Sequence, residues 1–461
     1  MLCALREFRD AFRVITNLVA MHLVDYQAHI DYLTAEWRGL MSENGFDAAV
    51  VYAGKNQTYY GDDQDPPFHA YGHFLRWIPE SACEHAVLVV NMVEKPVLLW
   101  YTPSDYWYLP SEPPEFCNET FVVQSYADLG ELHRALRGSL EAQSNVAHIG
   151  NPSSSEDQDW LTEANKKLIR QLDYLRAFKT AFERQCIEGA STRGVLGHVA
   201  AARAFTAGES EYQVHLAYLR ASSQHEAELP YPSIVAMNTH AATLHYQKYD
   251  REPASDTYSL LIDAGAKKHC YHSDITRTYA ANKNDEFAEL IGAVDSAQQE
   301  IIEEIAVGKS YLALHEAMSQ KIAEILTSHQ FLKCSPTAAY ESELVDAFFP
   351  HGLGHLLGLQ THDVGGRIVA ESGREVPPHS RYESLRLMRA VEANMVFTIE
   401  PGIYFIPSLL ARWKDHQDVN WGKVDQFMKY GGVRVEDNVF VTPNGPINLT
   451  RNAFSAASVG A

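Results

Sequence analysis

Short apolar runs and helical spacing alternate along the first third of the chain. Apolar residues recur at intervals of three and four from about Tyr26 to Leu40, which predicts an amphipathic helix. The runs AAVVY at 48–52, HAVLVV at 85–90 and PVLLW at 96–100 follow, separated by Gly, Asp, Asn and Pro. Such runs are typical of short strands. Strands mixed with helices predict an α/β domain in this part of the chain.

A change of composition marks the predicted domain boundary. The segment NPSSSEDQDW at 151–160 is a break rich in Ser and Asp, and the helical pattern LTEANKKLIRQLDYLRAF follows it. We place the boundary near residue 178. This division gives an N-terminal α/β domain at 21–178 and a second domain at 179–461; two domains are the natural expectation for a chain of 461 residues.

The second half has a different pattern. Two amphipathic helices are predicted first, and the apolar, β-branched runs SIVAM, YSLLID, DITRTYA, MVFTIEPGIYF and GVRVEDNVFVT follow. Two long helical stretches, at 285–306 and 312–328, separate the first of these runs from the last. Strands in groups and helices in groups predict an α+β fold rather than an alternating βαβ fold.

Composition narrows the functional classes. Acidic residues outnumber basic ones by 59 to 38, which gives a formal net charge of -21. Because nucleic-acid binding depends on Lys and Arg contacts to phosphates, we exclude nucleic acid as a partner. No run reaches the roughly 18 apolar residues of a membrane helix, so we predict no membrane insertion.

Cysteine usage and the first twenty residues bear on localisation. The six cysteines are scattered and contain no CxxC pair, which indicates thiols in a reducing, cytoplasmic compartment. Residues 1–20 lack an uninterrupted apolar stretch and a small-residue cleavage site, so a signal peptide is not expected. We interpret them as a leader outside the folded core, with Met21 as an alternative start.

Four acidic residues lie in apolar, strand-like contexts. Asp263 ends LLID, Asp274 begins DITRTY, Glu400 follows FTI, and Glu436 lies in GVRVEDNVF. A buried carboxylate without a partner is costly, so each needs a cation or hydrogen bonds. The period of two along the last run places Arg434 and Glu436 on one face. Taken singly, the aspartates could cap turns and Glu436 could pair with Arg434; together the four acids indicate a metal site.

A histidine-rich, glycine-rich segment follows the long helices. FFPHGLGHLLGLQTHDVGG contains His351, His355 and His362. His351 and His355 have the spacing of an HExxH zinc site, but no Glu follows the first His and the glycines weaken a helix there. We therefore reject that motif, and expect the glycines to let backbone approach a metal or substrate.

Four carboxylates with one imidazole form a hard, oxygen-rich ligand set. Such a set suits manganese or cobalt better than a thiolate zinc site, and four negative charges balance two divalent ions. Water between two such ions becomes hydroxide near neutral pH, which provides a nucleophile for amide or phosphoester hydrolysis. The chain has no GxSxG, Walker lysine or GxGxxG motif to support other chemistries.

Six motifs in order carry a family resemblance, namely DAG at 263–265, DITRTY at 274–279, HGLGH at 351–355, THDVGG at 361–366, TIEPGIY at 398–404 and GGVRVEDN at 431–438. The chain resembles the pita-bread metallopeptidases, and within them the bacterial prolidase (Xaa-Pro dipeptidase) branch that includes the organophosphorus acid anhydrolases. The resemblance runs from about Met21 to the end. It implies a C-terminal pita-bread domain preceded by a smaller creatinase-like α/β domain.

The resemblance also implies the roles of individual residues. Asp263 would bind one ion, His355 and Glu400 the other, and Asp274 and Glu436 both. The ions would be manganese, with cobalt or zinc as alternatives. Glu400 would also carry a proton from the bridging hydroxide to the leaving nitrogen. The substrate-handling residues would be His245 and Arg386 on the C-terminal carboxylate, His362 on the oxyanion, and Arg434 and Tyr231 in the pocket.

Three other functions stay open beside cleavage of Xaa-Pro dipeptides. Aminopeptidase P has the same fold and metals but acts on longer peptides; closure of the pocket by Arg386 and the segment 406–427 would discriminate the two. Arg386 could instead be a loop residue paired with Glu383 or Glu392. Organophosphate hydrolysis would be a promiscuous activity. A non-catalytic binding module is the third alternative; such modules have lost their metal ligands, whereas all five predicted ligands are present here.

The resemblance further implies a homodimer, with the loop 61–68 reaching the partner's site.

Overall fold

A computed structural model describes residues 23–151 and 162–459, which divide into two compact units. The first contains the described residues up to Leu172 together with Thr180–Gln185, and the second contains Asp173–Lys179 and the residues from Cys186 onward. The predicted leader at 1–20 lies outside the described residues. The boundary near residue 178 stays a prediction.

The first unit begins with a long amphipathic helix, α1 (Leu23–Glu43). Its buried side chains Tyr26, Ile30, Leu33, Trp37 and Met41 recur every three or four residues, as one face of a helix requires. The ring of Trp37 meets the ring of Trp77, in the short helix α2 (Gly72–Trp77), nearly at a right angle with centroids 5.4 Å apart.

A mixed sheet forms the centre of the first unit. Its five strands are β1 (Ala48–Tyr52), β2 (Val87–Asn91), β3 (Val97–Tyr101), β4 (Val122–Tyr126) and β5 (Val146–Ile149), in the order β4-β3-β2-β1-β5 among the described residues. The pairs β1–β5 and β3–β4 are parallel, and the others are antiparallel. Two further helices are α3 (Cys117–Thr120) and α4 (Leu129–Leu140). Leu132 of α4 packs on Val50 and Leu99 of the sheet.

Helices lead from this unit into the second. They are α5 (Glu163–Arg176), α6 (Ala181–Thr206) and α7 (Glu211–Ser222), and further along the chain come α8 (Glu286–Glu303), α9 (Tyr311–Ser328) and α10 (Pro336–Glu341). Helix α8 begins at a side-chain cap, since Asp285 accepts a hydrogen bond from the backbone N–H of Ala288. The two long helices α8 and α9 agree with the predicted stretches at 285–306 and 312–328.

Small antiparallel sheets make up the rest of the second unit. One contains β6 (Ile234–Met237), β7 (Ser259–Asp263) and β10 (Thr276–Ala280), and another contains β11 (Val396–Ile399), β14 (Asp437–Thr442) and β15 (Gly445–Asn448). Two-stranded ladders pair β8 (Lys267–Lys268) with β9 (Tyr271–His272) and β12 (Gly402–Tyr404) with β13 (Gly432–Arg434). Helix α13 (Leu449–Val459) follows β15. Grouped strands and grouped helices confirm the α+β class.

Two predicted strands are interrupted at the acidic residues. Glu400 lies between β11 and β12 rather than inside one strand, and Glu436 lies between β13 and β14. In each case the chain leaves one sheet and joins another, since β11 pairs with β14 while β12 pairs with β13. Asp274 similarly precedes β10 by two residues. The acids therefore occupy points where ladder pairing stops, which frees their side chains to converge.

The segment 406–427 forms the short helices α11 (Pro407–Leu410) and α12 (Trp421–Phe427). Its side chains Leu410, Val419 and Val424 are buried in the main apolar core of this unit. The backbone of Asn420 donates to the carbonyl of Phe331, which fixes the segment to the end of α9. Its predicted part in closing a substrate pocket stays a prediction. Over the described ranges, no helix has the length and apolar character needed to cross a membrane.

Candidate metal centre and substrate site

Strand pairing in the second unit brings the acidic residues together. Thr276, the first residue of β10, pairs with Asp263 at the end of β7 and also forms an isolated bridge with Glu436. The Thr276 hydroxyl donates to Glu436 Oε2 at 2.8 Å. One threonine thus connects residues that are separated by more than 150 positions in the chain. Asp274 lies near both, since its ligand atom is within 4.8 Å of that of Glu436 and it shares the Tyr231 hydroxyl with Asp263.

The ligand atoms of Asp274, His355 and Glu436 all lie within 4.8 Å of one another, and all three residues are buried. His355 Nε2 is 3.4 Å from Asp274 Oδ2 and 3.6 Å from Glu400 Oε1. The other ring nitrogen of His355, Nδ1, faces the carbonyl of Leu356 at 3.0 Å. This second contact orients the ring so that Nε2 points at the carboxylates, as a metal-binding histidine requires.

The crowding of carboxylates appears in their pKa values. Burial and the nearby Asp274 carboxylate, against the opposing effect of His355, together raise the pKa of Glu400 to about 7. Burial, together with the charges of Asp274 and Glu400, also holds the pKa of Glu436 well above its usual range. Raised pKa values in several neighbouring carboxyl groups are expected at a site whose negative charges are balanced by bound cations.

The donor set fits divalent metal ions. Four carboxylates and one imidazole converge here, and like charges so close in a buried place repel each other unless a cation lies between them. The oxygen-rich set matches manganese and similar ions. The five predicted ligands Asp263, Asp274, His355, Glu400 and Glu436 therefore lie in one cluster, connected by Thr276 and by the side chains described next.

A buried guanidinium borders the cluster. Arg434 donates to Asp263 Oδ2 at 2.7 Å, to the Tyr404 hydroxyl at 2.8 Å and to Thr276 Oγ1 at 3.2 Å. Arg434 thus contacts one predicted metal ligand, Asp263, and the threonine that donates to another, Glu436. The predicted placement of Arg434 and Glu436 on one side agrees with this geometry, because both reach the hydroxyl of Thr276.

Two residues of this border were not among the predicted site residues. The Tyr404 hydroxyl accepts from Arg434 and lies 2.8 Å from His351 Nε2, and His351 Nδ1 lies 3.7 Å from Glu400 Oε2. Burial, with the charge of Arg434, lowers the pKa of His351 to about 3, so its ring is neutral. The position of His351 in the HGLGH motif could have indicated that it belongs to the site. Nothing in the local sequence of Tyr404 distinguishes it from a core tyrosine.

Tyr231 lies against two of the acids. Its hydroxyl is 2.8 Å from Asp263 Oδ1 and 2.5 Å from Asp274 Oδ1. Burial and the charges of Asp263 and Asp274 hold the pKa of Tyr231 well above its usual value, so the phenol keeps its proton. The protonated Tyr231 hydroxyl therefore lies between the carboxylates of Asp263 and Asp274, and its contacts to both fix the distance between them.

Of the three predicted substrate residues, His362 is within electrostatic range of both His245 and Arg386. The ring of His362 meets that of His355 nearly at a right angle, with centroids 4.4 Å apart. Burial, with the neighbouring His355 and Arg386, lowers the pKa of His362 to about 4, and His245 contributes in the same direction. The neutral ring of His362 therefore contacts the acid cluster through His355 and also lies near His245 and the cationic Arg386.

Arg386 and His245 are both exposed in the structure. Glu392, one of the two proposed partners of Arg386, instead accepts a charged hydrogen bond of 2.7 Å from Arg389. Over the residues that the structure describes, no ion pair of Arg386 with Glu383 or Glu392 occurs. A guanidinium without such a partner at the edge of the site is suited to a substrate carboxylate.

Glycines let segments of backbone pack closely against each other beside the site; the predicted approach of glycines to a metal or substrate stays a prediction. A Cβ atom on Gly354 would lie 2.1 Å from the carbonyl oxygen of Thr398, and one on Gly366 would lie 2.4 Å from the carbonyl oxygen of Arg386. These contacts leave no room for a side chain. The glycines thus hold the His355 segment against β11 and the His362 segment against the chain at Arg386.

Comparison with known proteins identifies the class. The sequence profile of metallopeptidase family M24 matches residues 185–443, more than half of the chain, and that of the Xaa-Pro dipeptidase N-terminal domain matches residues 24–174. The chain belongs to metallopeptidase family M24, which confirms the predicted family and the predicted class of enzyme.

Curated relatives make the similarity more specific. The Xaa-Pro dipeptidase of Aeromonas hydrophila is 40% identical over 437 residues, covering 93% of this chain and 98% of that protein. Xaa-Pro dipeptidase 2 of Idiomarina loihiensis is 39% identical over 433 residues, with the same coverage. These relatives belong to the branch that the six motifs indicated.

Solved structures agree on the fold. A zinc-substituted aminopeptidase P from E. coli in complex with product has a TM-score of 0.71 at 21% identity, covering 96% of this chain and 99% of that one. Aminopeptidase PepP from Pseudomonas aeruginosa has a TM-score of 0.70 at 24% identity, covering 93% and 98%. The likeness confirms the predicted architecture, a C-terminal pita-bread domain preceded by a smaller N-terminal α/β domain.

Proposed function

We propose that this metallopeptidase hydrolyses Xaa-Pro dipeptides and releases free proline. The observation that carries the proposal is that His362 contacts His355 of the acid cluster and lies near both His245 and Arg386. A dipeptide places its scissile bond only one residue from its carboxylate. A site with ligands for metal ions and a guanidinium at its edge therefore matches the length of that substrate.

Asp263 would hold one ion, His355 and Glu400 the other, and Asp274 and Glu436 both. Manganese is the metal we favour, because the donors are mostly carboxylate oxygens. Bound there, two divalent ions supply Lewis acidity that polarises the scissile carbonyl and acidifies water. The carboxylates also act on their own account, since they fix the ring of His355 and orient Tyr231.

Glu400 is the proposed proton carrier. Its Oε1 lies 3.6 Å from His355 Nε2, inside the cluster where the proposed ions would activate water. A carboxyl group in that position can take up a proton from the water and pass it on. The proline nitrogen is a poor leaving group until protonated, so we assign Glu400 to deliver that proton.

The basic residues have positioning and charge-stabilising roles in this proposal. His245 and Arg386 hold the proline carboxylate, and His362 stabilises the negative charge that develops on the scissile oxygen. Arg434 and Tyr231 keep Asp263 and Asp274 in place through the contacts given above. The segment 406–427 closes the far end of the pocket, where a third residue of a longer peptide would lie.

Aminopeptidase P activity on longer peptides is the main alternative. Slow hydrolysis of organophosphates is proposed as a promiscuous activity of the same ions. We also propose that the enzyme works in the cytoplasm, because its cysteines are scattered along the sequence without a disulfide pattern.

A homodimer is proposed as the working form. The first unit exposes several large apolar side chains, with Tyr106 87%, Trp107 74% and Leu109 94% exposed, and Tyr60 lies beside the loop 61–68. Clustered exposed aromatic residues are typical of protein interfaces. Sedimentation velocity of the wild type and of Trp107→Ser measures the assembly, and a monomeric wild type would contradict this proposal.

The deciding experiment compares two substrates after the metal has been exchanged. The protein is stripped with a chelator, restored with manganese, and assayed for hydrolysis of Leu-Pro and of Leu-Pro-Gly, with Asp274→Asn as the inactive control. We expect metal-dependent release of proline from Leu-Pro alone. Equal or better cleavage of Leu-Pro-Gly would establish aminopeptidase P activity, and no cleavage of either by the metal-loaded protein would refute the peptidase proposal.

A further inference from the structure

Glu211 is a buried carboxylate at the start of helix α7 that accepts four hydrogen bonds. Its Oε1 accepts from the backbone N–H of Met237 at 2.7 Å and faces His240 Nδ1 at 2.7 Å. Its Oε2 accepts from the Tyr246 hydroxyl at 2.9 Å and from the backbone N–H of Asp250 at 2.7 Å. Both oxygens are thus satisfied, each by one backbone and one side-chain donor.

All four donors belong to one stretch of chain, residues 237–250, which we call the 237–250 loop. It leaves the end of β6 and contains His245. Leu244 and Tyr246 pack with the cluster around Tyr404, while His245 between them is exposed. The ring of Tyr246 stacks on that of His240 with centroids 4.4 Å apart. Glu211 therefore secures the loop at its beginning, its middle and its end.

Glu211, His240 and Asp250 also have ligand atoms within 4.8 Å of one another, which raises the question of a second metal site. The backbone donors argue for the hydrogen-bonded role instead. An ion on the Glu211 oxygens would compete with two N–H groups, those of Met237 and Asp250, which already occupy them. A buried N–H without an acceptor is costly.

We propose that Glu211 is a positioning residue that holds His245 in place for the carboxylate of the substrate. This inference rests on the proposed function, in which His245 binds that carboxylate. The two oxygens of Glu211 bind the N–H groups of Met237 and Asp250, and so fix the distance between the two ends of the loop. His245 lies in a turn of this loop, between the packed side chains of Leu244 and Tyr246. The turn is itself closed by a hydrogen bond from the Tyr246 N–H to the Thr243 carbonyl.

The variant Glu211→Gln tests this role sharply. A glutamine has the same shape, but one of its two oxygens is replaced by an amide NH₂ group. Because each oxygen of Glu211 accepts from a backbone N–H, either orientation of the amide places a donor against a donor. The loop must then shift at Met237 or at Asp250, with no change in side-chain volume.

The kinetic test uses manganese-loaded protein with Leu-Pro and with Leu-prolinamide, in which a neutral amide replaces the C-terminal carboxylate. Glu211→Gln should raise KM for Leu-Pro about tenfold and change kcat less than threefold, with little effect on Leu-prolinamide. In a His245→Ala background, Glu211→Gln should raise KM no further. Equal effects with both substrates, or additive effects in the double variant, would overturn the proposal.

A matched control separates positioning from general destabilisation. Glu183 is another buried glutamate in the first turn of a helix, where it accepts from Arg76 at 3.1–3.2 Å. Glu183→Gln should lower the melting temperature without changing KM for Leu-Pro. Should Glu211→Gln fail to fold, Tyr246→Phe removes a single donor from the same carboxylate and is expected to raise KM in the same direction by a smaller factor.

Hydrogen–deuterium exchange tests the inference independently of activity. Amides of the 237–250 loop should exchange faster in Glu211→Gln than in the wild type, and Glu183→Gln should leave them unchanged. A wild type that fails to cleave Leu-Pro would refute the proposed function, while unchanged exchange of the loop in Glu211→Gln would refute the role of Glu211.

Discussion

Asp363, which lies next to the candidate site, is held in place by two buried ion pairs. It follows His362 directly, and its carboxylate accepts from Arg176 at 2.5 Å and from Lys179 at 3.2 Å, with all three side chains buried. Arg176 also donates to Gln360 at 2.7 Å. The segment that carries His362 is therefore fixed to residues that precede the predicted domain boundary or lie just after it.

The pKa of Asp363 follows from this arrangement. Burial by itself would raise the pKa, but Arg176 and Lys179 outweigh burial and hold it below the usual value. A carboxyl group whose pKa is depressed in the folded state contributes stability above the pKa of the unfolded chain, about 4. That contribution is lost as the pH falls through the folded-state pKa.

Asp363→Asn should lower the free energy of unfolding at pH 7 by about 3–5 kcal/mol, because two buried cations lose their counter-charge. As the pH falls below about 4, the wild type loses the contribution of this carboxylate while the variant has none to lose, so the difference between them should narrow. Urea unfolding at pH 7, 5 and 3 measures this difference in the free energy of unfolding between the wild type and Asp363→Asn.

The exposed pair Arg367–Glu375 provides the control for that experiment. Its side chains are 40% and 48% exposed, and surface pairs contribute about 0–1 kcal/mol. Glu375→Gln should therefore have little effect at any of these pH values. A difference between Asp363→Asn and wild type that stays constant from pH 7 to pH 3 would show that the ion pairs are not its source.

At the scale of elements, the contact between the HGLGH segment and β11 positions His355. The backbone N–H of Thr398 donates to the carbonyl of His355, and the Tyr311 hydroxyl donates to the carbonyl of Thr398 at 2.7 Å. Gly354 lies in the middle of this contact, where a Cβ atom would be 2.1 Å from one oxygen and 2.4 Å from another.

Gly354→Ala should destabilise the protein by about 1–3 kcal/mol and reduce its metal content, because the added methyl group forces the backbone beside His355 to move. Thermal unfolding and metal analysis of the purified protein measure both effects. Gly292, an exposed glycine inside α8 with nothing within 4 Å of an added Cβ, provides the matched control. Gly292→Ala should stabilise the protein by about 0.5–1 kcal/mol. If Gly354→Ala left both the thermal stability and the metal content unchanged, the close packing at Gly354 would not be what positions His355.

At the scale of the whole molecule, metal binding should be coupled to folding. The acid cluster exists only when segments from 263 to 436 are assembled, so an ion held there binds the folded chain and not the unfolded one. Such a ligand stabilises by about 2.7 kcal/mol at one hundred times its Kd. The stability of the second unit should therefore depend on metal concentration.

Chelation should lower the melting temperature, and added manganese should restore it progressively. Scanning calorimetry across a manganese titration measures this, with Asp274→Asn as a variant that lacks a proposed bridging ligand and should respond weakly. A melting temperature that does not change with manganese in the wild type would argue against ions at this cluster.

Local pattern was sufficient for much of the fold. The apolar spacing at 26–40 predicted α1, the run at 48–52 coincides with β1, and the stretches at 285–306 and 312–328 coincide closely with α8 and α9. These elements depend on which face of a helix or strand is apolar, and that is written in neighbouring residues. The interruptions at Glu400 and Glu436 were missed, because an apolar run does not reveal where a chain changes sheets.

Ordered motifs of distinctive residues were enough to identify the family, the α+β class and the acids and histidines of the candidate site. The residues that support them became apparent only in the folded chain. Arg434 reaches Asp263 across 171 positions and Thr276 reaches Glu436 across 160, while Glu211 and Tyr404 resemble ordinary helix and core residues in the sequence. Such contacts depend on the path of the whole chain, and no local pattern encodes that path.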